Sequence, residues 1–199
     1  MNKKGGIFKR GLVIFTEGPT DKIFYKALVE YIMMQNSLKN RVDVLEIVDL
    51  GGIGNFSRKL IGIFKSRILI KNKDTKFTVI CTYDTDVFEL ATKPPVNWTS
   101  VRKELRSLGA LKVIEIKATR MIEDWFLFDT MGLCKFLGIG SVTPKGKDGN
   151  EKMKFLFRKA NRVYTKGSEC GEFIKDLNFK IIHNCLQKEV AQLSIYLFK

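Results

Sequence analysis

Six carboxylates in three short groups carry the main chemical signal of this chain: Glu17 with Asp21, Asp84 with Asp86, and Glu123 with Asp124. The first group follows the apolar run Leu12-Val13-Ile14-Phe15-Thr16, the second Phe77-Thr78-Val79-Ile80-Cys81-Thr82-Tyr83, and the third comes shortly after Leu111 to Ile116. Converging carboxylates repel one another unless a cation lies between them, and hard divalent cations prefer oxygen ligands. The pattern therefore points to Mg2+ (or Mn2+) held beyond the ends of buried strands. Asp84 and Asp86 are two residues apart at a strand end, so they project to the same side and can share one cation or flank two. Aspartates after strands also make ordinary turns; Glu17 at the end of another strand favours the metal. Asp21, one helical turn beyond Glu17, suits a further ligand and equally suits the favourable acidic charge in a helix's first turn. Glu123 and Asp124 stand where they would complete a two-metal site, and the same helix-start reading applies to them.

The runs that carry these groups are short, rich in Val, Ile, Phe and Thr, and not cleanly alternating, as in strands buried on both faces of a parallel sheet. Ligands of such sheets gather beyond the carboxyl ends of the strands. Gly18-Pro19-Thr20 predicts a turn, and Ile23, Phe24, Ala27, Leu28, Tyr31 and Ile32 share one face of a helix. Val42 to Leu50 predicts a second strand that ends in the glycine turn Gly51-Gly52-Ile53-Gly54. Phe56, Leu60, Ile63 and Phe64 predict a second helix with Asn55 as its N-cap. Pro94-Pro95 marks a surface loop, and Thr99-Ser100 caps a helix running to Gly109. With Leu111 to Ile116 as the fourth strand, the alternation implies a mainly parallel four-stranded sheet with helices on both faces. Beyond residue 117 the pattern turns helical: Met121 to Asp129, Met131 to Leu137, Glu151 to Ala160 and Lys180 to Leu197, with a loop from Gly138 to Asn150. Trp125, Phe126 and Phe128 read as core, and so does Cys185 on the apolar stripe of the last helix. The expectation is a metal-binding core over residues 1–120 and a helical extension over 121–199 packed on the same domain.

An apolar strand ending Glu17-Gly18-x-x-Asp21 before an amphipathic helix, then a glycine-rich turn, then a strand ending Asp84-x-Asp86, resembles the TOPRIM domain. That domain occurs in topoisomerases, primases, small ribonucleases and overcoming-lysogenization-defect (OLD) type nucleases. The resemblance spans residues 10 to 120, and the remainder looks like the tail of small TOPRIM-like proteins linked to phage defence. It implies an α/β three-layer sandwich and a Mg2+-dependent nuclease that cuts DNA or RNA, in phage defence or toxin-like RNA cleavage. It also implies roles. Glu17 is a metal ligand or general acid/base, and Asp84 and Asp86 are metal ligands. Asp21 matches an acidic pair that OLD-type nucleases carry at this spacing. Glu123, in Glu123-Asp124-Trp125-Phe126-Leu127, matches the acid of a Glu-x-Trp-Leu-Leu segment. Lys166, in Tyr164-Thr165-Lys166-Gly167, matches a late lysine that stabilises transition-state charge. No Walker motif is present, so an OLD-like arrangement needs a separate ATPase or regulatory partner, or none.

Lys and Arg number 35 against 21 Asp and Glu, a formal charge of +14 that favours a polyanionic partner, nucleic acid first. Lysine-rich composition also accompanies AT-rich genomes without any function. Arg120, Lys145, Lys147, Arg158, Lys159 and Arg162 are the candidate phosphate contacts, since cationic side chains supply most sequence-independent affinity. Four scattered cysteines and one histidine leave no zinc pattern. No apolar run approaches a membrane span and the basic N-terminus lacks a signal-peptide core, so a cytoplasmic protein is expected. Two other function classes stay open: a catalytically silent nucleic-acid or partner-binding subunit, and a nucleotidyl or phosphoryl transferase using the same carboxylates.

Overall fold

The computed structural model describes residues 8–167 and 170–198; the basic N-terminal residues 1–7 lie outside it. β1 (Lys9–Thr16), β2 (Val44–Asp49), β3 (Thr75–Asp84) and β4 (Lys112–Ala118) form an all-parallel sheet in the order β2-β1-β3-β4. Successive residues of a strand point to opposite faces, and here each face has its own core. Leu12, Ile14, Ile80 and Ile116 face one helical layer, while Val13, Phe15, Val79 and Cys81 face the other. All eight are buried, and the threonines that the central strands carry, Thr16, Thr75, Thr78 and Thr82, are buried with them, so over their apolar runs neither face of these strands meets solvent. That is why the runs read as continuous rather than alternating.

One layer consists of α1 (Pro19–Gln35) together with the whole C-terminal part: α6 (Ile122–Phe126), a 3-10 turn (Leu127–Asp129), α7 (Thr130–Leu137), α8 (Gly149–Lys159), α9 (Gly171–Asp176), α10 (Phe179–Cys185) and α11 (Ala191–Tyr196). Phe24 of α1 joins them, its ring 5.9 Å from Trp125, 5.5 Å from Phe126 and 5.6 Å from Phe179. The opposite layer holds α2 (Asn55–Arg58), α3 (Leu60–Ile63), a π-helical stretch (Phe64–Leu69) and α5 (Trp98–Ser107), with the short α4 (Asp86–Leu90) directly after β3. The architecture is therefore three layers, α/β/α, with the helical extension continuing one outer layer. Among the described residues, no helix is long and apolar enough to cross a membrane.

Several local expectations change. Asn55 is the first residue of α2 rather than its cap, because its side-chain amide donates to the carbonyls of Leu50 (2.8 Å) and Gly51 (3.1 Å) and so ties the glycine turn closed. The cap of α5 is Asn97, whose Oδ1 accepts from the Ser100 backbone N–H at 3.1 Å. The predicted last helix divides into α10 and α11, yet Ile182, Leu186, Val190, Leu193 and Leu197 remain buried along one stripe. That stripe is narrower than expected, and Cys185, beside the exposed Ile181 on its flank, faces solvent. Phe128 also leaves the core, 43% exposed, because the 3-10 turn rotates it outward and Asp129 inward. Asp129 is then satisfied by the N–H groups of Gly132 (3.0 Å) and Asn178 (2.7 Å), which cap α7 and pin the start of α10.

Candidate active site

β1 and β3 are neighbours, with Thr16 opposite Thr82, so Glu17 and Asp84 emerge side by side at the carboxyl edge of the sheet. The Asp84 backbone N–H points at Glu17 Oε2, 3.4 Å away. Gly51 and Gly52, at φ 75° and 124°, adopt backbone conformations that side chains resist, and the turn they make folds over Glu17, whose carbonyl accepts from Gly52 N–H at 2.7 Å. From the other side, Asp84 Oδ1 accepts from Ile122 N–H at 2.9 Å, which draws the start of α6 against β3. Glu123, the next residue, is thereby carried fully buried beneath the site. Thr20, in the first turn of α1, accepts from Gly167 N–H at 2.7 Å and holds down the segment that carries Lys166. Lys166 Nζ meets Glu123 Oε1 at 2.9 Å, and the Tyr164 hydroxyl donates to the same oxygen at 2.9 Å. Glu123 Oε2 is buried without a hydrogen-bond partner. The result is a hollow of about 340 Å3 bordered by Glu17, Asp21, Asp84, Lys166 and the turn glycines.

The charges in this hollow do not balance. Four carboxylates, Glu17, Asp21, Asp84 and Glu123, act on one another across it, with Lys166 as the opposing cation. Burial, then the neighbouring Glu17 and Glu123, push Asp21 up to about 7. Burial, then Asp21, Glu123 and Glu17, push Asp84 up to about 9. Glu17 is raised as well, by burial above all and by the nearby Asp86, against the Asp84 N–H that favours its charge. Burial disfavours the Lys166 ammonium, but Glu123, then Asp84 and Asp21, outweigh it and hold its pKa above the ordinary lysine value. Buried like charges and desolvation shift pKa values in this direction, and such shifts gather at functional sites.

The fold thus brings Glu17, Asp21, Asp84, Glu123 and Lys166 together. Asp86 stands at the start of α4, near enough to Glu17 to raise its pKa, with its Oδ1 accepting from Val87 N–H at 2.7 Å. Asp124 turns away. Its backbone and carboxyl lie against Gly149 at the start of α8, where an added Cβ would sit 2.7 Å from the Asp124 nitrogen. Of the predicted phosphate contacts, Lys145, Arg158 and Arg162 border a second cleft. Lys147 pairs with Glu151 at 3.3 Å, Lys159 lies over the Phe155 ring, and Arg120 occupies a left-handed turn (φ 65°) beside Asp86. Two site residues escaped the sequence reading, Thr20 and Tyr164. For Tyr164 a signal existed: residues two apart in an extended segment share a side, and Tyr164 and Lys166 both reach Glu123. Tyr164→Phe leaves that buried carboxylate with Lys166 alone, and should lower unfolding stability in urea by about 1–3 kcal/mol; an unchanged midpoint would remove Tyr164 from the site's support.

No protein-family model and no curated protein matches the chain. Among solved structures, the C-terminal region of the Burkholderia pseudomallei OLD protein is similar, with a TM-score of 0.41 and 14% identity over 94% of this chain and 100% of that chain. A likeness at that distance assigns neither family nor activity.

Proposed function

We propose that this chain is a Mg2+- or Mn2+-dependent nuclease that hydrolyses phosphodiester bonds in DNA or RNA. One observation carries the reading: a sheet-edge hollow holds four mutually repelling carboxylates against one ammonium, an arrangement that costs stability and that a divalent cation would relieve. An all-oxygen donor set suits a hard cation, and the partnerless buried Oε2 of Glu123 adds a lone-pair donor. Among the described residues, no three ligand-type side chains stand close enough to cage a metal as they are placed. Mg2+ does not need such a cage, being commonly bound by one or two carboxylates with waters and substrate phosphates.

In this reading Glu17, Asp84 and Asp86 hold the cation, Asp21 and Glu123 support it, and Asp124, turned towards α8, stays outside. Once bound, the cation would supply an acidified water and positive charge at the phosphate. The chain's own groups do the rest. Glu17, ionised once it ligates the cation, keeps a second carboxylate oxygen that could accept a proton from the attacking water. The Lys166 side chain, half exposed and anchored on Glu123, faces the charge that grows on the phosphoryl oxygens. The TOPRIM resemblance supports phage defence or toxin-like RNA cleavage as the setting, with any ATPase supplied by a separate partner, and the sequence's lack of a signal-peptide core supports a cytoplasmic location.

The test is incubation of the protein with labelled single- and double-stranded DNA, transfer RNA and ribosomal RNA, with Mg2+ or Mn2+ and with a chelator, beside the Asp84→Ala Asp86→Ala variant. Cutting that needs the metal and vanishes in the variant is the expected result, and the substrate that is cut names the class. Intact substrates throughout, with nucleic acid still bound, would replace this reading by the silent binding subunit.

A further inference from the structure

A second cleft, of about 700 Å3, opens between the loop at Lys145, the outer side of α8 and the segment from Arg162 to Tyr164. Its volume is that of a small-molecule site, for which about 300–1,000 Å3 is usual. Lys145, Lys154, Arg158 and Arg162 line it, and among the described residues none of the four makes an ion pair. The carboxylate at its edge, Glu151, is already engaged by Lys147, through the ammonium at 3.3 Å and the backbone N–H at 3.0 Å. Four gathered cations without a counter-charge form a site for a multiply charged anion.

The cleft is not purely basic. Phe155 forms part of its wall, and Val163 stands 83% exposed beside the cations. Inorganic phosphate would leave that apolar surface unused, whereas a nucleotide uses both parts, its phosphates on the cations and its base against the ring. Position argues the same way. Tyr164 lines this cleft while its hydroxyl sits on Glu123 of the acidic hollow, so a single side chain bridges the two.

We propose that this cleft is a nucleotide-binding subsite, in which Lys145, Lys154, Arg158 and Arg162 take the phosphates and Phe155 with Val163 takes the base. Its nearness to the carboxylates makes the nucleotide one unit of the strand presented for cutting, an identity that rests on the nuclease reading. A free nucleoside triphosphate carries the same chemistry, so two probes separate the sources.

The experiment measures fluorescence anisotropy, in chelator, of a labelled single-stranded oligonucleotide and of a fluorescent nucleoside triphosphate. The proteins are wild type, Lys154→Ala Arg158→Ala, Phe155→Ala, and a control, Lys103→Ala Arg106→Ala, that removes the same charge from exposed positions of α5 in the opposite layer. The cleft double variant should bind the oligonucleotide about 10-fold more weakly and lower the salt slope by about 2, with the control within about 2-fold. Phe155→Ala should weaken binding about 5-fold or more, as loss of a stacked base does. Cleft dependence for the oligonucleotide alone identifies a strand subsite, and cleft dependence for the triphosphate identifies a soluble nucleotide. Equal weakening by the two double variants, or no weakening by the cleft variant towards either probe, overturns the assignment. Because binding is read without metal, a failure to cut nucleic acid leaves this outcome independent.

Discussion

Asp84→Asn should abolish metal-dependent cleavage, by about 1,000-fold or more, and at the same time make the metal-free protein more stable above neutral pH. The two effects have one cause. Burial, and then the neighbouring Asp21, Glu123 and Glu17, raise the pKa of Asp84 from 3.8 to about 9. Unfolded, the same carboxyl is ionised above about pH 4. Folding at pH 8 therefore requires it to take up a proton or to keep a charge that its surroundings disfavour, and either choice costs stability. Asparagine is neutral and nearly isosteric, and its side-chain oxygen can still accept from Ile122 N–H. The gain should amount to a few kcal/mol at pH 8, of order 1.4 kcal/mol for each unit of pKa displacement relieved, and should fade towards pH 4. Cleavage rates and melting temperatures of the same preparations are the measurement. A variant that melts lower than wild type at pH 8 would mean that Asp84 serves the fold, and cleavage within tenfold of wild type would remove it from the reaction.

The metal-free wild-type protein should lose stability steadily as pH rises from about 4 to about 9, and a divalent cation should restore it most at the alkaline end. The sign follows from Asp21 and Asp84, whose folded pKa values of about 7 and about 9 both exceed the ordinary 3.8. A raised carboxyl binds more protons folded than unfolded, so its stabilising contribution is complete below about pH 4. It is lost progressively until the folded group itself ionises. A cation that binds the ionised carboxylates replaces the missing protons. At a hundred times its dissociation constant it contributes about 2.7 kcal/mol, or about 5–10 °C in melting temperature for a chain of this size. Melting curves across this range, with chelator and then with Mg2+ or Mn2+, test it. A melting temperature that ignores added metal at pH 8 to 9 would show that the hollow binds no cation, and would leave Lys166 as its permanent counter-charge.

Much of this arrangement was legible in the sequence because it is written locally. A strand buried on both faces needs a near-continuous run of apolar and β-branched residues, and Leu12 to Phe15 and Phe77 to Cys81 are such runs. Once both are strands of a parallel sheet, their following residues meet at one edge, so Glu17 and Asp84 were placed by topology alone. The glycine turn was legible for the same reason, since Gly51 and Gly52 mark backbone that other residues resist. Less local features were misread. The last helix's pattern permits a wider stripe than docking uses, so Cys185 flanks the core that its spacing alone would place it in.

By itself, then, the sequence determined which segments are strands and which carboxylates end them, because burial and chirality act over a few residues at a time. Tertiary structure alone decided which acid of a neighbouring pair enters the site. Glu123 and Asp124 are adjacent in one helix, where successive side chains point about 100° apart. The hydrogen bond from Ile122 to Asp84 and the packing of Trp125 and Phe126 on Phe24 dock α6 with Glu123 towards the hollow and Asp124 towards α8. The same holds for Thr20 and Tyr164, whose partners Gly167 and Glu123 lie far away along the chain. Their meeting depends on long-range packing, which no local pattern encodes.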